Sequence, residues 1–337
     1  MRTFTKSVIT IGIMSIFSTS HAVVNERPIA GKIYDDLLIY DTFQDTNNGV
    51  SKDYIFNKGA TFDGSEGTTH STVLVHNWGS NPNLNPNLYN TKSNFIMGGG
   101  TDLIIKNYRG YGTIEVQEGA SFIIRNGNIC LESGMVNNEN MDNTESAIHM
   151  ESSGTIDIVA ESFLIENKRT DRENAGGISI AGDNNAFDVT LTKSFRENNV
   201  VFGIAAQANE ANSKAKVTID ADEGIDINTY FRDVVSLSGY KGVGVYLMAY
   251  YEPSAKTSAS LTSNNGSICI NAQSYGYYGY GNINSNINAK FDVAISGKLK
   301  HAVYLGGSED TTIENKLSVH QEGIFFFLPI VITRSAC

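Results

Sequence analysis

Cysteine and proline are both scarce in this chain of 337 residues, which contains three cysteines and five prolines. Cys130, Cys269 and Cys337 are too few and too scattered for a disulfide framework, and none lies in a CxxC pair or beside a histidine, as a zinc site requires. We therefore expect stability to come from packing and backbone pairing, with Cys130 and Cys269 as small strand residues.

Clustered positive charge is also missing, because no run of Lys or Arg interrupts a chain whose formal net charge is -11. Nucleic acids and anionic lipid surfaces both require a clustered positive face, so neither is expected as a partner. The 41% of hydrophobic residues and the 32 glycines are typical of a folded protein, not of a disordered one.

A long hydrophobic run is absent as well. The apolar stretch at residues 8–17 spans about ten residues, roughly half of what a membrane-crossing helix needs. It follows Arg2 and Lys6 and precedes Ser20-His21-Ala22, a small-x-small cleavage pattern. This combination predicts a secretory signal peptide over residues 1–22 and a secreted mature chain.

The next part of the chain has an irregular pattern. Residues 29–78 contain short apolar stretches that predict strands, and residues 79–90 carry two prolines and a string of asparagines, which is typical of a surface loop. We therefore assign residues 23–93 to an N-terminal cap region that precedes the main body.

From about residue 94, apolar and polar residues alternate with the two-residue period of β-strands. A pair led by glycine or alanine recurs as AIHM at 147, GISI at 177, GIAA at 203, GVYL at 244, a degenerate GYYG at 276 and AVYL at 302. A second strand type recurs as GTIDIV at 154, FDVTL at 187, KVTID at 216, SASLT at 258 and FDVAI at 291. A third recurs as SFLIEN at 162, EGIDIN at 223 and GSICIN at 266. Short strands that recur in a fixed order are the signature of a solenoid.

The predicted fold is therefore all-β, a right-handed parallel β-helix over residues 94–323. Three short strands per repeat bury their apolar faces only if the repeats stack, about 4.8 Å apart. Asn167, Asn228 and Asn271, which follow the third strand type, are expected at corners, where asparagine tolerates left-handed backbone conformations. Cys130 and Cys269 would then lie about five repeats, or roughly 24 Å, apart and so beyond the reach of a disulfide.

The alternative architecture is an antiparallel β-sandwich, in which tight hairpins join the strands. Asn-Gly at 48, 126 and 265 and Asp-Gly at 63 are the dipeptides that such hairpins favour. The recurring order of strand types favours the β-helix, because sandwiches do not repeat themselves in sequence.

Acidic residues are concentrated in KVTIDADEGIDIN, which contains Asp220, Asp222, Glu223 and Asp226. Because successive side chains of a strand point to opposite faces, we expect these acids to face water while their apolar neighbours face the core. They match neither the EF-hand loop nor the GGxGxD nonapeptide, and whether they bind calcium stays open.

Catalysis on a β-helix would require carboxylates on neighbouring repeats, which lie about 5 Å apart, near the separation in retaining glycosidases. Asp157 and Asp188 occupy equivalent positions in successive strands, and Asp220, Asp222 and Asp226 are further candidates. No His, Arg or Lys accompanies them in the repeat pattern. We therefore assign no catalytic residue, metal or cofactor, and keep a polysaccharide-degrading enzyme that uses outward-facing aspartates as the alternative function.

The unusual segment of the surface is SYGYYGYGNINSN, residues 274–286. Its Tyr275, Tyr277, Tyr278 and Tyr280 offer flat amphipathic rings that suit a sugar or protein surface. The other interpretation is a degenerate strand with some of the rings turned inward.

The predicted signal, the low cysteine content, the negative charge and the Gly/Asn-rich repeats GIxI, loop, xVTID, GIDIN resemble the passenger region of a Gram-negative autotransporter, the type V secreted adhesins. The resemblance covers residues 94–320. It implies export and display at the cell surface, and a role as an adhesin or structural stalk that contacts a protein or glycan of a host or neighbouring cell. We expect a monomer.

The end of the chain departs from that family. Autotransporters end in a membrane β-barrel built of alternating strands of about ten residues. Here the alternation gives way at residues 324–332 to a run that is apolar throughout. We expect the tail, residues 324–337, to be a terminal rung or a truncated terminus, so that contact with the outer membrane would need a barrel missing from this chain.

Overall fold

A computed structural model of the protein describes residues 23–24, 26–41, 43–46, 51–64, 71–76, 92–107, 112–133, 146–151, 153–168, 176–182, 184–230, 241–249, 254–307 and 314–322. The predicted signal peptide, the Asn/Pro-rich loop, the Asn-Gly at 48, Cys337 and the apolar tail lie outside the described residues.

The described residues form 29 strands. The first ten are β1 Val23–Val24, β2 Ile33–Tyr34, β3 Leu37–Ile39, β4 Phe43–Thr46, β5 Lys52–Phe56, β6 Ala60–Asp63, β7 Val73–His76, β8 Lys92–Met97, β9 Asp102–Asn107 and β10 Gly112–Val116. The next ten are β11 Ser121–Arg125, β12 Asn128–Ser133, β13 Ser146–Glu151, β14 Thr155–Ala160, β15 Ser162–Asn167, β16 Gly176–Ala181, β17 Asn185–Leu191, β18 Ser194–Val200, β19 Ile204–Ala208 and β20 Lys214–Ala221. The last nine are β21 Gly224–Thr229, β22 Val245–Ala249, β23 Lys256–Ser263, β24 Ser267–Ala272, β25 Tyr277–Tyr280, β26 Ile283–Ala289, β27 Val293–Gly297, β28 Val303–Gly306 and β29 Asn315–Gln321.

These strands build three long sheets. Sheet A has the order β1-β3-β6-β9-β12-β15-β18-β21-β24-β27, sheet B the order β2-β5-β8-β11-β14-β17-β20-β23-β26-β29, and sheet C the order β4-β7-β10-β13-β16-β19-β22-β25-β28. Every pairing among the described strands is parallel. The chain thus passes from sheet C to B to A and then stacks on itself. The prediction of a parallel β-helix is confirmed, and the antiparallel sandwich is excluded.

The described part of the chain contains no helix with the length and apolar character needed to cross a bilayer. Its interior is one continuous apolar core of Ile, Val, Leu, Ala and Phe, bounded by the three sheets. In the first turns the core is aromatic: Phe95 packs against Phe56, Phe62 and Phe122 with ring centroids 4.9 to 5.5 Å apart.

The β-helix begins earlier than residue 94, which corrects the assignment of residues 23–93 to a separate cap. β1 pairs with β3 in sheet A, and β5 pairs in register with β8, so that Tyr54 lies beside Phe95. The first four strands contain only two to four residues each. Such short strands show too little alternation to be recognised as repeats.

The sequence pattern assigned one strand to the wrong strand type and missed another. The segment FDVAI belongs to β27 of sheet A, where Val293 pairs with Ile268, and is therefore a strand of the third type. The sheet B strand of that turn is β26, whose inward side chains include Ile283 and Ile287. β18 was not recognised at all, because Glu197 occupies an inward position where the pattern calls for an apolar residue.

The two Asn-Gly dipeptides among the described residues, at 126 and 265, are corners and not hairpins. Asn126 and Gly127 have φ values of 63° and 71° and join β11 of sheet B to β12 of sheet A. Asn265 and Gly266 likewise lie between β23 and β24. The asparagines with left-handed φ among the described residues are Asn126, Asn184, Asn199 and Asn212, so the expectation for Asn167, Asn228 and Asn271 is wrong. Asn167 is the last residue of β15, whereas Asn228 and Asn271 are the penultimate residues of β21 and β24 and are neighbours in register.

The two described cysteines lie in one outward column of sheet A, four turns apart and not five. The column runs Cys130, Leu164, Arg196, Asp226, Cys269. At about 4.8 Å per turn the thiols are about 19 Å apart, and both are free. Burial raises the pKa of the Cys130 thiol to about 11 and also raises the pKa of Cys269. Both cysteines are therefore weak nucleophiles.

A steric effect explains why glycine begins most of the GIxI pairs. A Cβ at Gly177, Gly244 or Gly276 would lie 2.5, 2.6 or 2.7 Å from the carbonyl oxygen of the equivalent residue on the next turn, and a Cβ at Gly203 would meet the carbonyl of Gly244. Those carbonyls accept ladder hydrogen bonds, such as Val245 N–H to Gly276 O at 2.9 Å. The backbone of one turn therefore leaves no room for a side chain on the turn before it.

We predict that Gly244→Ala lowers the free energy of unfolding by about 1–3 kcal/mol, because the added methyl group would overlap both the Gly276 carbonyl and Ile270. Gly99→Ala is the matched control, since a Cβ there has nothing within 4 Å. Guanidinium unfolding followed by circular dichroism measures both variants. Equal stability of the two would contradict the steric explanation.

Candidate binding surfaces

The four tyrosines predicted from the sequence do not form one surface. Tyr277 points into the core, is fully buried, and its hydroxyl donates to Ser285 Oγ at 2.7 Å. Burial raises the pKa of Tyr277 far above that of a free phenol. Tyr275, Tyr278 and Tyr280 are partly exposed on the outer side. Both interpretations are thus correct in part: one ring is turned inward and three are available for contact.

Tyr278 belongs to a column of three stacked rings on the outer face of sheet C, which we call the tyrosine ladder: Tyr246, Tyr278 and Tyr304. These residues are direct neighbours in register on β22, β25 and β28. Their ring centroids are 5.0 and 4.7 Å apart, with interplanar angles of 10° and 13°. Because each ring lies against the next, the ladder presents ring edges to the outside and covers most of its ring faces.

Tyr275 and two basic residues flank the ladder. Tyr275 lies 5.3 Å from Tyr278 and 5.8 Å from Tyr304, measured between ring centroids. The Lys300 ammonium lies 4.9 Å from the centre of the Tyr275 ring, and the His301 ring lies 5.9 Å from it. Burial, followed by the neighbouring Tyr304, raises the pKa of the Tyr275 hydroxyl. The Tyr275 phenol therefore stays neutral, and the patch carries a cation at its edge.

The winding of the chain does not require tyrosine in this column. The equivalent outward residues of earlier turns are Glu115, His149, Ser179 and Ala205. The ladder begins where a small apolar cluster of Val201, Phe202 and Val243 covers Ala205 and Tyr246 from the outside. Sequence reasoning found Tyr278 but missed Tyr246 and Tyr304. Aligning the third residue of each GIxI pair would have shown tyrosine on three consecutive turns.

The acidic segment faces outward, as predicted, and its acids have separate partners. Asp220 and Asp222 accept hydrogen bonds from the side-chain amides of Asn264 and Asn265, each at 2.8 Å. Asp226 Oδ2 lies 3.7 Å from Arg196 Nε, whereas Glu223 is exposed. Within the described ranges, no group of three or more carboxylate, histidine or cysteine side chains is placed to hold a metal ion.

Asp157 and Asp188 are direct neighbours in register on β14 and β17, so the predicted alignment is confirmed. Each carboxylate is engaged by a cation from an adjacent turn, which the sequence analysis did not foresee. Arg125 contacts both oxygens of Asp157, at 2.5 and 3.2 Å, and Lys216 Nζ lies 2.7 Å from Asp188 Oδ1. These residues form cross-turn ion pairs on an open, half-exposed surface, which is the arrangement of a structural contact.

Comparison of the chain with known protein families, with curated proteins and with solved structures gives no match. The functional argument therefore depends on the sequence pattern, the fold and the outward surfaces of the β-helix.

Proposed function

We propose that this chain is a secreted, surface-displayed passenger of the autotransporter kind, and that it acts as an adhesin that contacts a protein or glycan on another cell surface. The signal-peptide pattern of residues 1–22 supports export from a Gram-negative cell. The parallel β-helix supports the passenger assignment, because the repeats that form it are those on which the resemblance depends.

The observation that carries the proposal is the tyrosine ladder with Tyr275 beside it. Tyrosines are enriched at binding hot spots because a ring supplies a large apolar area and its hydroxyl supplies a hydrogen bond. Here Tyr278 and Tyr304 lie on consecutive turns at the surface, in a column where earlier turns carry Glu, His, Ser or Ala, and Tyr275 lies beside Tyr278 on the same turn. The fold can do without these rings, so their presence at the surface favours a role in contact.

Serine in place of Tyr275, Tyr278 and Tyr304 together is predicted to weaken attachment to host cells at least about tenfold, because the loss of a tyrosine hot spot commonly costs more than 1.4 kcal/mol of binding free energy. Attachment is measured by flow cytometry with the labelled protein. Circular dichroism and thermal unfolding first establish that the variant is folded.

The matched control is Tyr40→Ser, which removes a ring that is 50% exposed on another part of the surface. Unchanged attachment of the folded triple variant would refute the proposal for this patch. If the unmodified protein binds neither cells nor a glycan array, the chain is a structural stalk and not an adhesin.

A further inference from the structure

Two neighbouring strands of sheet B carry short polar side chains at successive outward positions. We call this set the polar grid: Ser258, Ser260 and Thr262 on β23, and Asn284, Asn286 and Asn288 on β26. The two rows are in register, with Ser258 beside Asn284 and Ser260 beside Asn286. Neighbours are about 4.8 Å apart across the strands and about 6.6 Å apart along them, so the grid is regular and flat.

The side chains of the polar grid make no hydrogen bond to any described part of the protein, although the structure satisfies comparable groups nearby. On the same face in earlier turns, Asn94 donates to Asp53 at 2.6 Å and Arg125 binds Asp157. On the inner side of β23, Thr257 donates to the Met248 carbonyl at 2.7 Å. The grid therefore presents six hydroxyl or amide groups whose donors and acceptors are open to a ligand.

Lysines border the polar grid at the start of its strands. Lys214 and Lys256 are direct neighbours in register on β20 and β23, and Lys316 lies beside Asn284 on β29. None of the three has a carboxylate of the described residues within ion-pair distance. We call these three residues the lysine rim. In a protein of net charge -11, two adjacent unpaired ammonium groups repel each other and attract an anion.

Three acids and one further cation share this face. Asp220 lies at the far end of β20, where Asn264 binds it. Glu314 precedes β29, and the ammonium of Lys216 is neutralised by Asp188. The lysine rim therefore remains the attractive end of the face for a negatively charged ligand.

We propose that the polar grid and the lysine rim bind an acidic polysaccharide. A sugar chain offers neighbouring hydroxyls that both donate and accept, which matches the Ser, Thr and Asn side chains of the grid, and its carboxylate or sulfate groups match the ammonium groups of the rim. Repeated weak contacts along one polymer add up through multivalency. The proposal shares the extracellular location of the proposed function but is independent of the tyrosine ladder.

The test is affinity electrophoresis of the purified chain in gels that contain polygalacturonate, dextran sulfate or neutral dextran. We expect retardation by one or both acidic polymers and none by dextran. Lys214→Gln/Lys256→Gln should weaken the interaction about tenfold and reduce its dependence on salt. Asn286→Asp, which places a negative charge in the grid, should weaken it as well.

Lys58→Gln/Lys298→Gln is the matched control, because it removes the same charge from two exposed positions outside sheet B. Equal weakening by this control would show binding to net charge alone and would overturn the proposal. The proposal would also be overturned if neutral dextran retarded the protein equally or if no polymer retarded it. It would be overturned as well if the protein formed a dimer that Asn286→Asp disrupts, because the grid would then be a self-association surface. Tyrosine variants that lose cell attachment but still bind acidic polymer separate this proposal from the adhesin function.

Discussion

Replacement of Glu197 by methionine is expected to make the protein more stable at neutral pH and to remove a pH dependence of its stability. Glu197 is fully buried in β18, and neither of its carboxyl oxygens has a hydrogen-bond partner among the described residues. Its column in sheet A otherwise holds apolar side chains on consecutive turns: Phe62, Ile105, Leu131, Ile165, then Glu197, then Ile227, Ile270 and Ile295.

The surroundings of Glu197 explain how the core admits it. Its carboxyl oxygens lie beside Gly177 and Gly203, where a Cβ would be only 2.6 and 2.8 Å from them. The ladder between β18 and β21 shifts register after Glu197, and Asn199 adopts a positive φ of 58°. No charged group of the described elements packed against it compensates the carboxylate. Burial therefore raises its pKa well above the ordinary value.

The direction of the pH effect follows from proton binding. In the unfolded chain the carboxyl loses its proton near pH 4.5, whereas in the folded chain it keeps the proton to higher pH. The unfolded state thus binds fewer protons above pH 4.5, and stability falls as pH rises until the folded pKa is passed. Between these two pKa values the loss is about 1.4 kcal/mol for each pH unit.

Urea unfolding of the Glu197→Met variant between pH 4.5 and 7.5 measures this effect. The variant should lack the decline attributed to Glu197 and should be more stable than the parent protein at pH 7, by a margin that grows between pH 4.5 and pH 7. The comparison is Glu132→Gln: Glu132 is also buried but pairs with Lys168, so its loss should destabilise the protein. If the stability of the parent protein and that of the variant change with pH at the same slope over this range, the pH dependence does not come from Glu197 and the assignment is wrong.

Glu197 also shows why the sequence revealed most of the β-helix but not all of it. Alternation identifies a strand because inward positions are apolar, and SFRENNV has only one apolar residue before the bulge. By contrast, the GIxI pairs were recognised on six turns, and all six lie side by side in sheet C. On the four turns where glycine begins the pair, a carbonyl of the next turn leaves no room for a Cβ. A steric requirement repeated on several turns can be recognised in the sequence, whereas a single buried acid interrupts the alternation that identifies a strand.

The tyrosine segment was harder to predict for a different reason. In YGYYGY each of the two alternating sets of positions contains tyrosine, so hydropathy does not distinguish the inward set from the outward one. The structure places Tyr277 and Gly279 inward and Tyr278 and Tyr280 outward. The partners of Asp157 and Asp188 were missed because Arg125 and Lys216 lie 32 and 28 residues away, one full turn along the chain.

A buried polar cluster in the first turns is predicted to have the largest effect on stability. Asp45, on the inner side of sheet C, is 3% exposed and accepts hydrogen bonds from Tyr54 Oη at 3.1 Å and Ser93 Oγ at 2.6 Å, and it forms an ion pair with Lys52. Burial, followed by the charge of Asp45, raises the pKa of the Tyr54 phenol, which therefore remains a donor. One carboxylate thus satisfies three side chains from two other strands, β5 and β8.

Asp45→Ala should lower the free energy of unfolding by about 3–5 kcal/mol, because it removes a buried carboxylate that pairs with Lys52 and accepts hydrogen bonds from the Tyr54 and Ser93 hydroxyls. Asp35→Ala is the control: its ion pair with Lys58 is more than half exposed, and its loss should cost less than about 1 kcal/mol. Guanidinium unfolding measures both. If Asp45→Ala loses no more free energy of unfolding than Asp35→Ala, water must reach the cluster around Asp45. The aromatic core of the first turns would then not shield this cluster from solvent.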